Sequence, residues 1–101
     1  MDSYNKLVRD KIPDILDAKG VPYERRIASP EEYKAELVKK LGEEVVEFGE
    51  EPSTEELVDV IEVIEALRGL PEYVDVESVK EKKKAERGGF EERIILKGEK
   101  G

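Results

Sequence analysis

Two helix-start signals in the middle of the chain constrain its fold more than any other feature. "SPEE", beginning at Ser29, has a capping residue, a proline at the first helical position and an acid three residues after the cap. "STEE", beginning at Ser53, repeats the cap and the acid at the same spacing. These signals predict a long helix from residue 30 to about 49 and another from residue 54 to about 68. Because the connection between them is short, we expect the two helices to pack antiparallel.

Two further helices are predicted outside this pair. Apolar residues recur from Ile12 to Ala18 at helical spacing, and Gly20 follows just after the pattern ends. The sequence from residue 75 to 87 is highly charged and is followed by Gly88 and Gly89, which typically stop a helix. The chain should therefore contain about four helices.

Two short segments have the composition of β-strands. "YERRIA" at residues 23–28 and "FEERIIL" at residues 90–96 each contain β-branched or aromatic residues. Their pairing would give a short β-hairpin. The predicted fold is all-α, an antiparallel bundle of about four helices with this hairpin added, in one domain covering residues 1–101.

The composition of the chain limits the size of its hydrophobic core and the classes of partner that it can bind. Charged residues make up 44% of the 101 residues and hydrophobic residues 38%. This composition predicts helices that each bury only one narrow apolar stripe. Self-association into a homodimer or a higher homo-oligomer would supply the missing core. The net charge of -8 argues against nucleic acid and anionic membranes as partners.

The available chemistry is restricted by residue type. The chain has no cysteine and no histidine, which excludes disulfides, thiolate nucleophiles and histidine catalysis. Carboxylates, lysine, arginine and tyrosine remain. The first residues contain no apolar signal-peptide core and no stretch has the length of a membrane span, so the predicted location is the cytoplasm.

Two acidic pairs stand inside the two central helices. On a helical wheel Glu44 falls within the apolar stripe of its helix, and Glu47 lies at the edge of that stripe. In the next helix Glu56 lies at the margin of the stripe, with Asp59 beside it. Antiparallel packing would make the two pairs face each other.

Four carboxylates at a partly buried contact repel one another, so they persist only if they are protonated or bound to cations. Mg²⁺ is the cation expected here and Mn²⁺ is an alternative, because hard cations bind carboxylate oxygens and do not need histidine ligands. Structural roles remain open at this point. Glu56 could serve only as the capping-box acid for Ser53, Glu44 could pair with Lys40, and Glu47 could be solvated.

Both ends of the chain carry clusters of basic residues. Arginine suits phosphate contact, and paired glycines let backbone N–H groups approach an anion. Alternatively, the glycines only end a helix and the lysine run is a solvated surface. The candidate substrate-binding residues are Lys6, Arg9, Lys11, Lys84, Arg87, Gly88 and Gly89.

These motifs together resemble those of the MazG-like, all-α nucleoside triphosphate pyrophosphohydrolases. The superfamily signature, EExxE followed by ExxD, is matched here by "EEVVE" at residues 43–47 and "ELVD" at residues 56–59. The small predicted house-cleaning subgroup, related to phosphoribosyl-ATP pyrophosphohydrolase, also begins with "NKLVRDKIP" and carries an "RGGF" segment, and this sequence has both. The gap between residues 47 and 56 is shorter than in most members of the superfamily.

The resemblance implies helical packing completed by dimerisation and a magnesium ion held by Glu44, Glu47, Glu56 and Asp59. It also implies hydrolysis of a nucleotide between its α and β phosphates, with Glu44 and Glu47 in the catalytic centre. Two alternatives remain: the histidine-biosynthesis reaction on phosphoribosyl-ATP, or a non-catalytic helical module that binds nucleotides or dimerises. The full set of acids favours an enzyme, and the shortened gap favours the module.

Overall fold

The computed structural model describes residues 5–99, and within that range all regular structure is helical. Its α-helices are α1 (Ile12–Ala18), α2 (Pro30–Glu50), α3 (Thr54–Arg68) and α4 (Val76–Arg87). One turn of 3-10 helix, Pro71–Tyr73, connects α3 to α4. The predicted all-α class and the number of helices are confirmed, with helix ends within one residue of the predicted positions.

The two capping signals explain where the central helices begin. Ser29 Oγ accepts a hydrogen bond from the amide of Glu32, and Ser53 Oγ accepts one from the amide of Glu56, both at 3.2 Å. Each serine satisfies one of the amides that have no partner within the helix. The start of α3, which carries two of the candidate acids, is therefore determined by Ser53.

The helix pair α2–α3 contains the core of the described chain. These helices form the one extensive helix–helix contact among residues 5–99. Leu37 on α2 and Val63 on α3 are its buried apolar side chains. Outside this pair, α4 is attached to the end of α3 by an ion pair between Arg68 and Glu77.

The molecule is more open than a compact domain of its length. Its radius of gyration is 18.2 Å, whereas about 13 Å is expected for a compact chain of this size. Many large apolar side chains on the helices remain exposed. No described helix combines the length and the apolar character that crossing a membrane requires.

The predicted β-hairpin was wrong for the chain as described. Residues 23–28 and 90–96 form no strand in the structure. A turn, closed by the amide of Arg93 donating to the carbonyl of Phe90 at 3.2 Å, interrupts the second segment. Arg93 has a φ of 59°, which is incompatible with a continuous strand. Residues 93–99 have no regular secondary structure.

Candidate metal centre

Three of the predicted acids converge where α2 packs against α3. Glu44 lies on the side of α2 that faces α3, while Glu56 and Asp59 lie in the first two turns of α3. One carboxylate oxygen from each residue lies within 4.8 Å of the others. We call Glu44, Glu56 and Asp59 the acidic triad.

Burial distinguishes the triad from an ordinary acidic surface. Glu44 is only 9% exposed, and it is the one buried charged residue among those described. The Oε2 atoms of Glu44 and Glu56 are both buried and have no hydrogen-bond partner. Buried polar atoms are nearly always paired, so two unpaired oxygens in one cluster suit the binding of a cation.

The protonation equilibria reflect this crowding. Burial raises the pKa of the Glu44 carboxyl, the charge of Glu47 raises it further, and Lys40 opposes the shift. Burial also raises the pKa of Glu56, followed by the negative charges of Glu47 and Asp59. The raised pKa values mean that ionisation of both carboxyls is disfavoured, and a bound cation would relieve the repulsion between the ionised groups.

Two cations already contact the triad. Lys40 Nζ lies 3.5 Å from Oε1 of Glu44, four residues later on the same helix. Arg9 donates a hydrogen bond from Nη2 to Oδ1 of Asp59 at 2.8 Å. Each cation engages one oxygen of one carboxylate, so the buried Oε2 atoms are still without a partner.

The arrangement fits a hard divalent cation. Oxygen atoms bound directly to one Mg²⁺ lie at most about 4.2 Å apart, because each Mg–O distance is about 2.1 Å. The triad oxygens lie within 4.8 Å of one another, so at most a carboxylate shift of roughly half an ångström, or a water completing the coordination, is needed. An all-oxygen donor set without histidine or thiolate also suits Mg²⁺ or Mn²⁺ better than softer metals.

The fourth predicted ligand, Glu47, stands apart from the triad. It is exposed, and it is not among the residues whose oxygens converge. Its charge nevertheless raises the pKa of both Glu44 and Glu56, so it lies near enough to act on them. The structure places Glu47 at the solvent edge of the centre.

The structure separates the structural roles left open by the sequence. Ser53 Oγ caps α3 by accepting from the amide of Glu56, while the buried Oε2 of the Glu56 carboxylate is unpaired, so capping does not account for that carboxylate. Glu44 does pair with Lys40, but through Oε1 alone. Both acids retain an oxygen that could bind a cation.

Of the three candidate basic residues near the amino terminus, one contacts the acidic triad. Arg9 reaches Asp59 directly. Lys6 lies in a shallow groove on α2 whose lining also includes Lys40 and Glu43. Lys11 is exposed, and no ion pair between it and the triad is seen in the described chain.

The carboxyl-terminal candidates are not brought to the acids within one chain. Lys84 and Arg87 are exposed on the last turn of α4, and Gly88 and Gly89 are exposed beyond it. Gly88 has a φ of 79° and ends α4, as its alternative role predicted. In residues 5–99, α4 makes no extensive contact with α2 or α3.

Sequence reasoning offered the Lys40–Glu44 pair only as a structural alternative to a metal site and did not place Lys40 among the site residues. The spacing of four residues between Lys40 and Glu44 was the available signal, although a lysine preceding a glutamate is the weaker orientation. The partial burial of both side chains explains why the pair forms here. Lys40 partly compensates the buried charge.

Comparison with known proteins adds no relative to these observations. No protein-family model, no curated protein and no solved structure matched the chain.

Proposed function

We propose that the protein is a magnesium-dependent nucleoside triphosphate pyrophosphohydrolase that cleaves between the α and β phosphates, giving a nucleoside monophosphate and pyrophosphate. The observation that carries this proposal is the acidic triad, in which two buried carboxylate oxygens have no partner. The resemblance of "EEVVE" and "ELVD" to the superfamily signature supports it. Removal of noncanonical nucleotides is the role that this resemblance suggests.

The triad residues Glu44, Glu56 and Asp59 would hold Mg²⁺, or Mn²⁺ in its place. The bound ion supplies neutralisation of phosphate charge and a lowered pKa for a coordinated water. The buried contact between α2 and α3 fixes the carboxylates in advance, so little reorganisation is needed when a nucleotide arrives.

Glu47 is suited to accept a proton. It is exposed at the solvent edge of the triad, where an incoming water is accessible. A carboxylate positioned next to the attacking water acts as a general base. Glu47 would thus serve catalysis rather than metal binding alone.

Arg9 is suited to the leaving group. Its guanidinium is already at the centre, held by Asp59, and it can contact a phosphate through two parallel hydrogen bonds. Lys6 and Lys11 belong to the same amino-terminal segment and would add positive charge along the polyphosphate. These residues would stabilise the departing pyrophosphate.

The carboxyl-terminal cations would act between chains. The candidate residues at this end are exposed, and α4 makes no extensive contact with the helices that carry the triad of the same chain. They are Lys84, Arg87, Gly88 and Gly89. In a homodimer or a higher homo-oligomer, they could reach the nucleotide bound by the other subunit. Nucleoside triphosphates are cytoplasmic metabolites, so the proposal places the enzyme there.

The test is pyrophosphate release from canonical, deoxy and damaged nucleoside triphosphates, with phosphoribosyl-ATP added to the panel and Mg²⁺ or Mn²⁺ present. Glu44→Gln and Asp59→Asn should each lower turnover at least about 100-fold, since direct ligands matter at least as much as the residues that orient them. Glu62→Gln is the matched control, because Glu62 is exposed on α3 outside the triad.

Three outcomes separate the candidates. Release from triphosphates that is lost in the triad variants supports the proposal. Release from phosphoribosyl-ATP alone assigns the histidine-biosynthesis reaction instead. Nucleotide binding by calorimetry without release, from a protein shown by circular dichroism to be folded, indicates a non-catalytic module.

A further inference from the structure

The segment that follows α4 carries several apolar side chains that are exposed to solvent. We call residues 90–96 the C-terminal arm. Its side chains include Phe90, Ile95 and Leu96, which are 98%, 91% and 89% exposed. Gly88, with its φ of 79°, turns the chain as α4 ends, and a turn at Phe90 to Arg93 leads into residues without regular secondary structure. Single exposed apolar residues are ordinary, but several together mark an interaction site.

A second uncovered apolar surface lies on the central helix pair. On a helical wheel of α3, Leu57, Ile61 and Ile64 fall within about 60° of one another, and this row is turned by roughly 100 to 160° from buried Val63. All three row residues are exposed. Helix α3 is therefore apolar over a wider face than α2 covers.

Helix α2 extends this surface. Val38 and Val45 are exposed and lie on α2 at about 80 to 100° from buried Leu37. For two right-handed helices packed antiparallel, these valines and the α3 row lie on the same side of the pair. The exposed α2–α3 face consists of Val38, Val45, Leu57, Ile61 and Ile64.

The area of the chain indicates what covers these surfaces. The single chain exposes 9451 Å², whereas a compact monomer of this size exposes about 5,800 Å². The excess is larger than the roughly 800 Å² that each partner buries in a standard interface, and it is large enough for the more extensive interface of an obligate homodimer. A second copy of the chain carries both an arm and a face. Its arm can cover the face of the first copy, and its face can receive the arm of the first copy.

We propose that the C-terminal arm of one copy packs on the exposed α2–α3 face of a second copy, and that the second arm does the same in return. The flanking charges agree with this arrangement. Arg93 and Lys97 bracket the apolar run of residues 94–96 in the arm, and the exposed acid Glu65 borders the face beside Ile61 and Ile64. The proposal does not depend on catalysis or on a bound metal.

Disulfide trapping in the full chain tests the contact, and the absence of native cysteine makes the result unambiguous. Chains carrying Ile95→Cys and a tagged chain carrying Ile61→Cys are mixed, allowed to exchange and oxidised. The expected product is a disulfide between the two different chains. Glu62→Cys is the matched control, since Glu62 is exposed one position further along α3 but turned about 100° away; its yield should be at least about 5-fold lower.

The doubly substituted chain, with Ile95→Cys and Ile61→Cys together, tests the competing arrangement in which the arm folds back on its own helices. A monomeric, concentration-independent disulfide would overturn the proposal. Equal trapping at residues 61 and 62, or no mixed disulfide at all, would overturn it too.

Sedimentation equilibrium gives a measurement without cross-linking. Ile95→Glu should weaken self-association at least about 10-fold, because it puts a charge into the buried contact. Ile27→Glu introduces the same charge at an isoleucine that is also largely exposed but lies outside the arm, and it should change self-association less than about 2-fold. A monomeric parent protein, or equal weakening by both substitutions, would contradict the proposal.

Discussion

Arg9 and Asp59 are fifty positions apart in the sequence, yet their side chains form an ion pair with 2.8 Å between Nη2 and Oδ1. The pair attaches the amino-terminal basic segment to the acidic triad. It also places a positive charge on a carboxylate that would otherwise face a divalent cation. Metal binding and the Arg9–Asp59 pair should therefore compete.

Replacement of Arg9 tests this competition. Arg9→Gln should tighten Mn²⁺ binding in the absence of nucleotide, by roughly 3- to 10-fold, because it removes a positive charge from a partly exposed ion pair. The same variant should lower nucleotide turnover, since Arg9 would no longer reach the pyrophosphate. Calorimetric titration with Mn²⁺ measures the first effect. Arg26→Gln breaks a pair with Glu32 instead and should leave Mn²⁺ affinity unchanged; weaker binding in Arg9→Gln would contradict the competition.

The parts of the fold that follow local chemistry were predictable from the sequence. The starts of α2 and α3 depend on hydrogen bonds between each serine and the amide three residues later, so Ser29 and Ser53 identified them. Helical periodicity likewise placed Glu44 among apolar residues. The failed hairpin depended on pairing between segments more than sixty residues apart, and no local pattern determines such pairing.

The same distinction applies to the candidate site. Glu44, Glu56 and Asp59 meet because two adjacent helices pack antiparallel, which the short connection predicted. Glu47 was expected among them, but a step of three residues along α2 turns it toward solvent, leaving it at the edge. The contact between Arg9 and Asp59 depends on how an irregular segment crosses the helix pair, and periodicity carries no information about that path.

The acidic triad should make the metal-free protein less stable as the pH rises. The pKa values of Glu44 and Glu56 are raised above the ordinary value of 4.5. Between that value and the raised pKa the folded chain binds more protons than the unfolded chain, so this contribution to stability falls with increasing pH. Glu44→Gln should flatten the dependence and raise the melting temperature near neutral pH by a few degrees.

Melting temperatures from about pH 5 to 8, with chelator and then with Mg²⁺, check this prediction. Saturating Mg²⁺ should abolish the loss of stability in the parent protein, because the cation replaces the protons. Glu32→Gln is the control: Arg26 lowers the pKa of Glu32 below its ordinary value of 4.5, so the contribution of that pair varies only at lower pH, and the substitution should leave the dependence from about pH 5 to 8 unaltered. A pH dependence that is identical in the parent and in Glu44→Gln would contradict the assignment.

The core of the helix pair is small, so each of its members should matter. Leu37 is buried between α2 and α3, and Leu37→Ala should lower the free energy of unfolding by about 2 to 5 kcal/mol. Lys39→Ala alters an exposed position on the same helix and should change it by less than about 0.5 kcal/mol. Urea unfolding at a fixed protein concentration measures both. Similar values for the two variants would show that the α2–α3 contact is not the stabilising core.

The two capping serines offer a matched pair that separates stability from metal binding. Each Oγ accepts one amide hydrogen bond at 3.2 Å, so Ser29→Ala and Ser53→Ala should each cost about 1 kcal/mol of stability. Only Ser53 fixes the turn that carries Glu56, and that turn also leads into Asp59. Ser53→Ala should therefore weaken Mn²⁺ binding several-fold, whereas Ser29→Ala should leave it unchanged although the loss of stability is similar. Urea unfolding and calorimetric titration on the same preparations measure the two effects. Equal Mn²⁺ affinities in the two variants would mean that the acidic triad does not depend on the start of α3 for its geometry.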